Sequence, residues 1–516
     1  MSEKTILVTG ATGYVGGRLI SKLLQSGYRV RTMGRSIEKL KSRPWAQSSR
    51  IELVKADVLD PDSLKKAVSG CRAAFYLVHS MNPQQRDFAE ADRKAAQNMA
   101  QAADKAGLER IIYLGGLGDV KVDSLSKHLR SRHEVAQILQ SGAVPTTFLR
   151  AAMILGSGGA SFEILRYLVD RLPVMLTPRW VDTPCQPIAI SNVLNYLQGC
   201  LEYDEVLGQT FDIGGHDILT YRRLMEIYAE EAGLPKRHII PVPVLTPHLS
   251  AYWIHLITPV PASLAIPLTE GLRNRVICKD NRIRSIIPQD LLTCRETIRL
   301  ALQRIEQERV ETCWSDAGVL ETPEWRYTGD ATYAGGTLLG CHYRIGLKAK
   351  TEEVWSPISR IGGENGWYFG NVLWSLRGFV DRLYGGIGLK RGRRHPSQLQ
   401  VGDALDFWRV LEVESPRRLL LIDEMKLPGD ATLEFRIVPL KNGETELQQL
   451  SHFLPRGLMG IMYWYIFLPF HHCIYKGMLR AIARSIKKHI TFGPEHFTQD
   501  SDGACHSPQD ETDAQP

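Results

Sequence analysis

Apolar and polar positions in the first third of the chain switch repeatedly between two periods. Thr5-Ile6-Leu7-Val8 is a short β-branched and apolar run, and Leu19, Ile20, Leu23 and Leu24 then recur at helical spacing. Residues 28–33 and 51–56 read as the second and third strands, the latter ending at Asp57-Val58. Asp60-Pro61 has helix-start character, with Asp60 as cap and Pro61 in the first turn. Residues 73–78 predict a fourth strand, 87–106 a long amphipathic helix, 110–114 a fifth strand and 147–150 a sixth. Strands alternating with helices predict an α/β fold with a doubly wound parallel sheet.

From about residue 325 the texture changes. Residues 351–361 and 366–384 read as helices, then 406–413, 418–425, 432–437 and 446–453 as strands, with a turn at 427–430. Leu433, Phe435 and Ile437 fall on one face of a half-buried strand. A helix over 458–488 closes the pattern, so this part reads as α+β. The expected division is a first domain over 1–310, a second over 325–490 and a polar, disordered tail over 497–516.

Length agrees with that division, because 516 residues exceed one ordinary core. The net charge of +7 is mild and spread out, so nucleic acid is not expected as a partner. Nine scattered cysteines without a CxxC pair suggest free thiols in a reducing cytoplasm. A strand entered by residue five leaves no room for a signal peptide. Residues 239–269 carry no formal charge but six prolines, which favours broken helices over a substrate cleft rather than a membrane span. Residues 457–475 are also uncharged, interrupted by Pro469, His471 and His472. A helix packed on a sheet explains them most simply; peripheral membrane contact is the other reading. His471-His472-Cys473 lacks metal-ligand spacing, so no metal is expected. Lys390-Arg391-Gly392-Arg393-Arg394-His395 reads as a solvated loop, or as a contact for phosphate or anionic lipid.

The chemistry concentrates in Thr9-Gly10-Ala11-Thr12-Gly13-Tyr14-Val15-Gly16, between the first strand and the first helix. Gly10 permits the tight turn, Gly13 lets backbone approach a pyrophosphate, and Gly16 lets helix and strand pack closely. The helix N-terminus then favours bound negative charge, which points to a dinucleotide. No acidic residue stands at the end of the second strand; Gly34-Arg35-Ser36 does. Arg35 can pair with a ribose phosphate and Ser36 can donate to it, which favours NADP while leaving NAD open.

These motifs, with Asp57-Val58, YLVHS at 76–80 and IIYLGG at 111–116, resemble the atypical short-chain dehydrogenase/reductases, in particular their NmrA-like and YbjT-like branches. The resemblance covers roughly residues 4–305. It implies that Asp57 and Val58 flank the adenine and that Leu77, Val78 and His79 lie along the ribose and nicotinamide. Catalytic members carry Tyr-x3-Lys on the helix after the fifth strand; here His128 and Arg132 stand in those places. His128 can act as general acid or base, whereas Arg132 can bind ribose but cannot titrate. The region after 325 resembles the helix-grip fold of START-like and Bet v 1-like domains, and also an uncharacterised domain appended to YbjT-like proteins. That resemblance implies a hydrophobic small-molecule ligand. Three functions stay open: an NADP(H)-dependent oxidoreductase on a hydrophobic small molecule, a non-catalytic NADPH sensor, and a lipid- or quinone-binding assembly factor. The oligomeric state is not readable from the sequence.

Overall fold

A computed structural model describes residues 5–78, 88–118, 127–242, 275–306, 339–383, 386–388, 393, 395, 397–440, 443–455, 457–499 and 505–506. The chain divides into two compact units, Met1–Val319 and Leu320–Pro516.

In the first unit, β1 (Thr5–Val8) leads through α1 (Tyr14–Gln25) to β2 (Val30–Gly34), α2 (Ile37–Lys41) and β3 (Ile51–Lys55). Next come α3 (Pro61–Val68), β4 (Cys71–Tyr76), α4 (Phe88–Ala106), β5 (Arg110–Gly116), α5 (Lys127–Gln140) and β6 (Thr146–Ala151). The chain continues through β7 (Ile154–Leu155), α6 (Ala160–Arg171), β8 (Val174–Pro178), β9 (Pro184–Cys185), β10 (Ile188–Ala189) and α7 (Ile190–Glu202). It then forms β11 (Thr210–Ile213), β12 (Leu219–Thr220), α8 (Tyr221–Glu231) and β13 (His238–Val242). Seven strands make one parallel sheet in the order β11-β6-β5-β4-β1-β2-β3. The order reverses at β1 and β4, so a crevice opens at the carboxyl ends of these strands.

Both faces of this sheet are buried. Leu19, Ile20 and Leu23 of α1 and Val193 and Leu197 of α7 cover one face with Ile6, Val8, Ala73 and Phe75. Leu64 and Val68 of α3, Ala96 and Met99 of α4 and Val135 and Leu139 of α5 cover the other. β2 starts at Val30 rather than at Tyr28. Gly27, at φ +88°, ends α1, and the Tyr28 N–H donates to Leu23 O at 3.0 Å, so the helix terminus consumes residues expected in the strand.

The second unit is built on an antiparallel sheet ordered β15-β16-β17-β18-β19-β14-β20. These are β14 (Leu339–Leu347), β15 (Ala404–Leu405), β16 (Trp408–Glu414), β17 (Arg418–Asp423), β18 (Gly429–Pro439), β19 (Thr445–Pro455) and β20 (Ile490–His496). Helices Thr351–Ser359 and Asn371–Leu383 follow β14, and a long helix, Gly457–Ser485, follows β19. The long helix packs Trp464, Ile474, Tyr475, Met478, Leu479 and Ile482 against the sheet. The Tyr475 hydroxyl donates to Ser451 Oγ at 3.0 Å across that junction.

β14 and β20 were not expected. Their runs are interrupted by Gly340, Gly346, Gly493 and Pro494, and Gly346 is needed because a Cβ there would lie 2.3 Å from the Phe492 ring. β16 begins at Trp408 because Asp406, at φ +56°, turns the chain out of β15. Asp406 Oδ2 accepts from Trp367 Nε1 at 2.9 Å and from the Gly363 N–H at 3.3 Å. The expected turn at 427–430 is shorter, since Gly429 already pairs with Pro455. Phe497, placed in the disordered tail, is fully buried beside His342. Thr498–Gln499 pairs with Cys505–His506, and the rest of the tail lies outside the described residues. Among the described residues, no helix is long and apolar enough to cross a membrane. The expected apolar segment over 239–269 lies outside them from residue 243 onward.

Candidate functional site

Everything in the N-terminal site hangs on the turn between β1 and α1. Gly10 has φ +66°, and a Cβ on it would lie 2.6 Å from Leu77 O. A Cβ on Gly16 would lie 2.3 Å from Gly10 O, so strand and helix approach as closely as glycine permits. The Gly13 N–H donates to Gly10 O at 2.9 Å and closes the turn. A Cβ on Gly13 would meet only Gly10 O, at 3.2 Å, leaving the rest of its surroundings open. Gly13 caps α1 without a side-chain hydrogen bond, and no acidic residue stands in the first turn. That end therefore offers backbone N–H groups and a positive dipole to an anion.

Thr9 fixes this turn to β4. Its hydroxyl donates to Phe75 O at 3.0 Å and accepts from the Leu77 N–H at 3.0 Å. Leu77 and Val78 are half-buried beside Gly10, and His79 lies outside the described residues. Thr12, Tyr14 and Val15 are half-buried. The Arg18 guanidinium sits 4.8 Å from the Tyr14 ring centroid and donates to Ser157 O at 2.7 Å. A Cβ on Gly156 would lie 2.6 Å from the Tyr14 hydroxyl oxygen, so the loop after β7 rests against the start of α1. Arg18 and Thr9 were missed as site-forming residues. The signal for Arg18 was its place four residues after Tyr14, one helical turn away.

Arg35 follows Gly34 at the end of β2, is exposed, and makes no hydrogen bond or ion pair with a described residue. Ser36 is engaged differently from expectation. It caps α2, with Oγ accepting from the Lys39 N–H at 3.2 Å and donating to Glu38 Oε2 at 3.1 Å. Asp57 shapes the turn after β3, Oδ1 accepting from the Leu59 N–H at 2.9 Å. Val58 is buried, and its carbonyl accepts from Asn98 Nδ2 at 2.9 Å. The parallel sheet brings all these segments to one edge.

His128 lies in the first turn of α5, and its side chain is not among those described. Arg132 is buried beneath the sheet. Its carbonyl accepts from the Tyr113 hydroxyl at 3.3 Å. Neighbouring Ser131 donates to Asp92 Oδ2 at 3.0 Å. Burial pushes the Tyr113 phenol up, partly opposed by the Arg132 charge, so Tyr113 stays protonated at neutral pH. At the ends of β6 and β11, Arg150 pairs with buried Asp212 at 2.6 Å, and Asp212 Oδ2 accepts from the Lys279 N–H at 2.9 Å. Burial and the Arg150 charge lower the His133 pKa, which keeps that imidazole neutral.

In the second unit, Arg393 was expected in a solvated or phosphate-binding loop. Instead Nη1 donates to Ile361 O at 2.6 Å and Nη2 to Ser359 O at 2.5 Å, satisfying carbonyls beyond a helix C-terminus. Lys390, Arg391 and Arg394 lie outside the described residues. Gln449 is fully buried on the helix-facing side of β19, paired in register with Tyr343 and Phe435, and neither amide atom is hydrogen-bonded. The indole nitrogens of Trp374 and Trp408 and Nδ1 of His471 are buried in the same state. No described group of three or more His, Cys, Asp or Glu side chains has the arrangement of a metal site.

Residues 334–478 match a protein family of unknown function, DUF2867. A cinnamoyl-CoA reductase 1 from Petunia hybrida is 29% identical over 127 residues, 24% of this chain and 38% of that protein. The mitochondrial NADH dehydrogenase [ubiquinone] 1 alpha subcomplex subunit 9 of Arabidopsis thaliana is 24% identical over 225 residues, 43% of this chain and 56% of that protein. The matched part thus spans less than two thirds of either relative. A nucleoside-diphosphate-sugar epimerase structure from Staphylococcus aureus aligns at 16% identity and TM-score 0.48, over 57% of this chain and 99% of that one. Residues 2–170 match the NmrA-like family, and the parallel sheet with its glycine turn gives this part of the chain a Rossmann architecture.

Proposed function

We propose that the protein is an NADP(H)-dependent oxidoreductase acting on a hydrophobic small molecule in the cytoplasm. The observation that carries this reading is the glycine turn, whose uncapped helix terminus suits a pyrophosphate. The choice of NADP rests on Arg35, exposed and without a described partner where a ribose phosphate would sit. The cofactor supplies the hydride; the protein holds it, orients the acceptor and supplies the proton, with His128 as donor. The second unit, a strand, two helices, a meander and a long helix, is read as a START-like helix grip that binds an apolar ligand. Unpaired Gln449, Trp374 and Trp408 inside its aromatic core support that, since buried polar atoms are costly unless a partner reaches them.

One observation favours a second reading. Arg132 stands in the place of the usual Lys, and a guanidinium does not titrate near neutral pH. A domain that binds NADPH without turning it over would serve as a sensor, or as a lipid- or quinone-binding assembly factor. The test is fluorescence titration with NADPH and NADH, followed by oxidation of bound NADPH against quinones, enones and aldehydes. Turnover that falls in His128→Ala supports the oxidoreductase. Tight binding with no oxidation across the panel moves the assignment to the second reading.

A further inference from the structure

The Asn371–Leu383 helix turns Val372, Leu373, Leu376, Phe379, Val380 and Leu383 outward, with Val372 82% and Leu383 66% exposed. The long helix beside it exposes Met459, Met462, Tyr465, Ile466 and Phe470, with Met459 at 69%. The two faces adjoin: the Arg377 guanidinium of the first helix lies 5.3 Å from the Tyr463 ring centroid and 5.8 Å from that of Phe467. Leu373 and Val380 flank Arg377 at helical spacing, Leu376 lies one turn from each of them, and Met459, Ile466 and Phe470 flank Tyr463. Scattered exposed apolar side chains are ordinary, but two adjoining helices turned apolar side outward are not.

Charge identifies what covers this face. Met462, Ile466, Pro469, Cys473, Lys476, Arg480 and Arg484 fall on one line down the long helix, at 3.6 residues per turn. All are exposed. The line is apolar for its first four members, over about 16 Å, and cationic for its last three. The long helix contains no acidic residue, and the one acid of its neighbour, Asp381, is buried. An apolar strip continued by cations matches a bilayer surface, where side chains reach the acyl boundary and lysine and arginine meet headgroup phosphates. The same face of a second copy would offer these cations no exposed acidic side chain.

We infer that the Asn371–Leu383 helix and the first half of the Gly457–Ser485 helix dock the protein on an anionic lipid surface. The face lies on the membrane and does not cross it, since no described helix is long and apolar enough to span.

The test uses the full chain in co-sedimentation with vesicles of phosphatidylcholine alone, and of phosphatidylcholine with a minority of phosphatidylglycerol. The expected result is binding to the anionic vesicles that weakens with salt. Leu376→Glu combined with Ile466→Glu should abolish it, with the thermal melt unchanged because both side chains are exposed. Lys476→Gln, Arg480→Gln and Arg484→Gln together should weaken anionic binding about a hundredfold, at about 1 kcal/mol per cation. The inference is overturned if the protein stays in solution with both vesicles, or if the glutamate pair leaves binding intact. It is also overturned if size-exclusion chromatography shows a dimer that the glutamate pair splits while vesicles bind nothing.

Discussion

Gly16 stands so close to Gly10 that any β-carbon on it would lie 2.3 Å from the Gly10 carbonyl oxygen. Gly13 has no comparable obstruction. The two glycines therefore separate by experiment. Gly16→Ala should lower stability by about 1–3 kcal/mol through forced displacement of α1, and cofactor binding with it. Gly13→Val should leave the melt nearly unchanged and abolish binding of both NADPH and NADH. Thermal melts beside cofactor titrations check both.

Arg35→Ala should weaken NADPH roughly tenfold to a hundredfold and leave NADH almost untouched, the range of a lost charge-assisted hydrogen bond. Equal losses for the two cofactors would remove Arg35 from the phosphate site.

Thr9 holds the Phe75 carbonyl of β4 and the Leu77 N–H just beyond that strand through one oxygen. Thr9→Val keeps the shape but leaves the Leu77 N–H without its acceptor. The expected cost is about 1–3 kcal/mol, read as a lowered midpoint in urea.

Asp423 in the second unit is half-buried, and desolvation raises its carboxyl from 3.8 to about 8, the hydrogen bond from the Met425 N–H and the Arg377 charge only partly opposing. The folded state therefore keeps a proton that the unfolded chain releases near its ordinary value. Stability from this group is fully present below about 3.8 and declines as pH rises toward 8. Asp423→Asn should flatten that decline while its side-chain oxygen still accepts from the Met425 N–H. Melting temperature across that pH window checks it.

Arg393→Ala should destabilise the second unit by about 1–3 kcal/mol, because the carbonyls of Ser359, Ile361 and His395 lose this donor. A phosphate-binding arginine would instead show its effect only with an anion present.

The parallel sheet was legible because its strands are short apolar runs separated by amphipathic helices, and the turn at Gly10 because its neighbours must be a strand and a helix. What escaped the sequence depends on contacts remote along the chain. Thr9 looked like a motif position until Phe75 and Leu77 came beside it, 66 and 68 residues away. Ser36 carried the chemistry to donate to a phosphate, yet local capping of α2 claims its oxygen. Arg393 belonged to a run of like charge, and the carbonyls of residues 359, 361 and 395 give it a task. β14 was hidden by glycines that serve close packing against a strand about 145 residues later, as the pairing of Leu347 with Ile490 illustrates.

That pairing also sets an order of events. β14 comes first in its sheet by sequence, yet it lies between β19 and β20, which come last. In the first unit β1, β2 and β4 find one another within the first 76 residues. The second sheet cannot close until almost all of its chain has left the ribosome, and until then β14 offers both edges unpaired. Its assembly is long-range and slow by topology, so during synthesis this is the part of the molecule most exposed to mispairing and most in need of a chaperone.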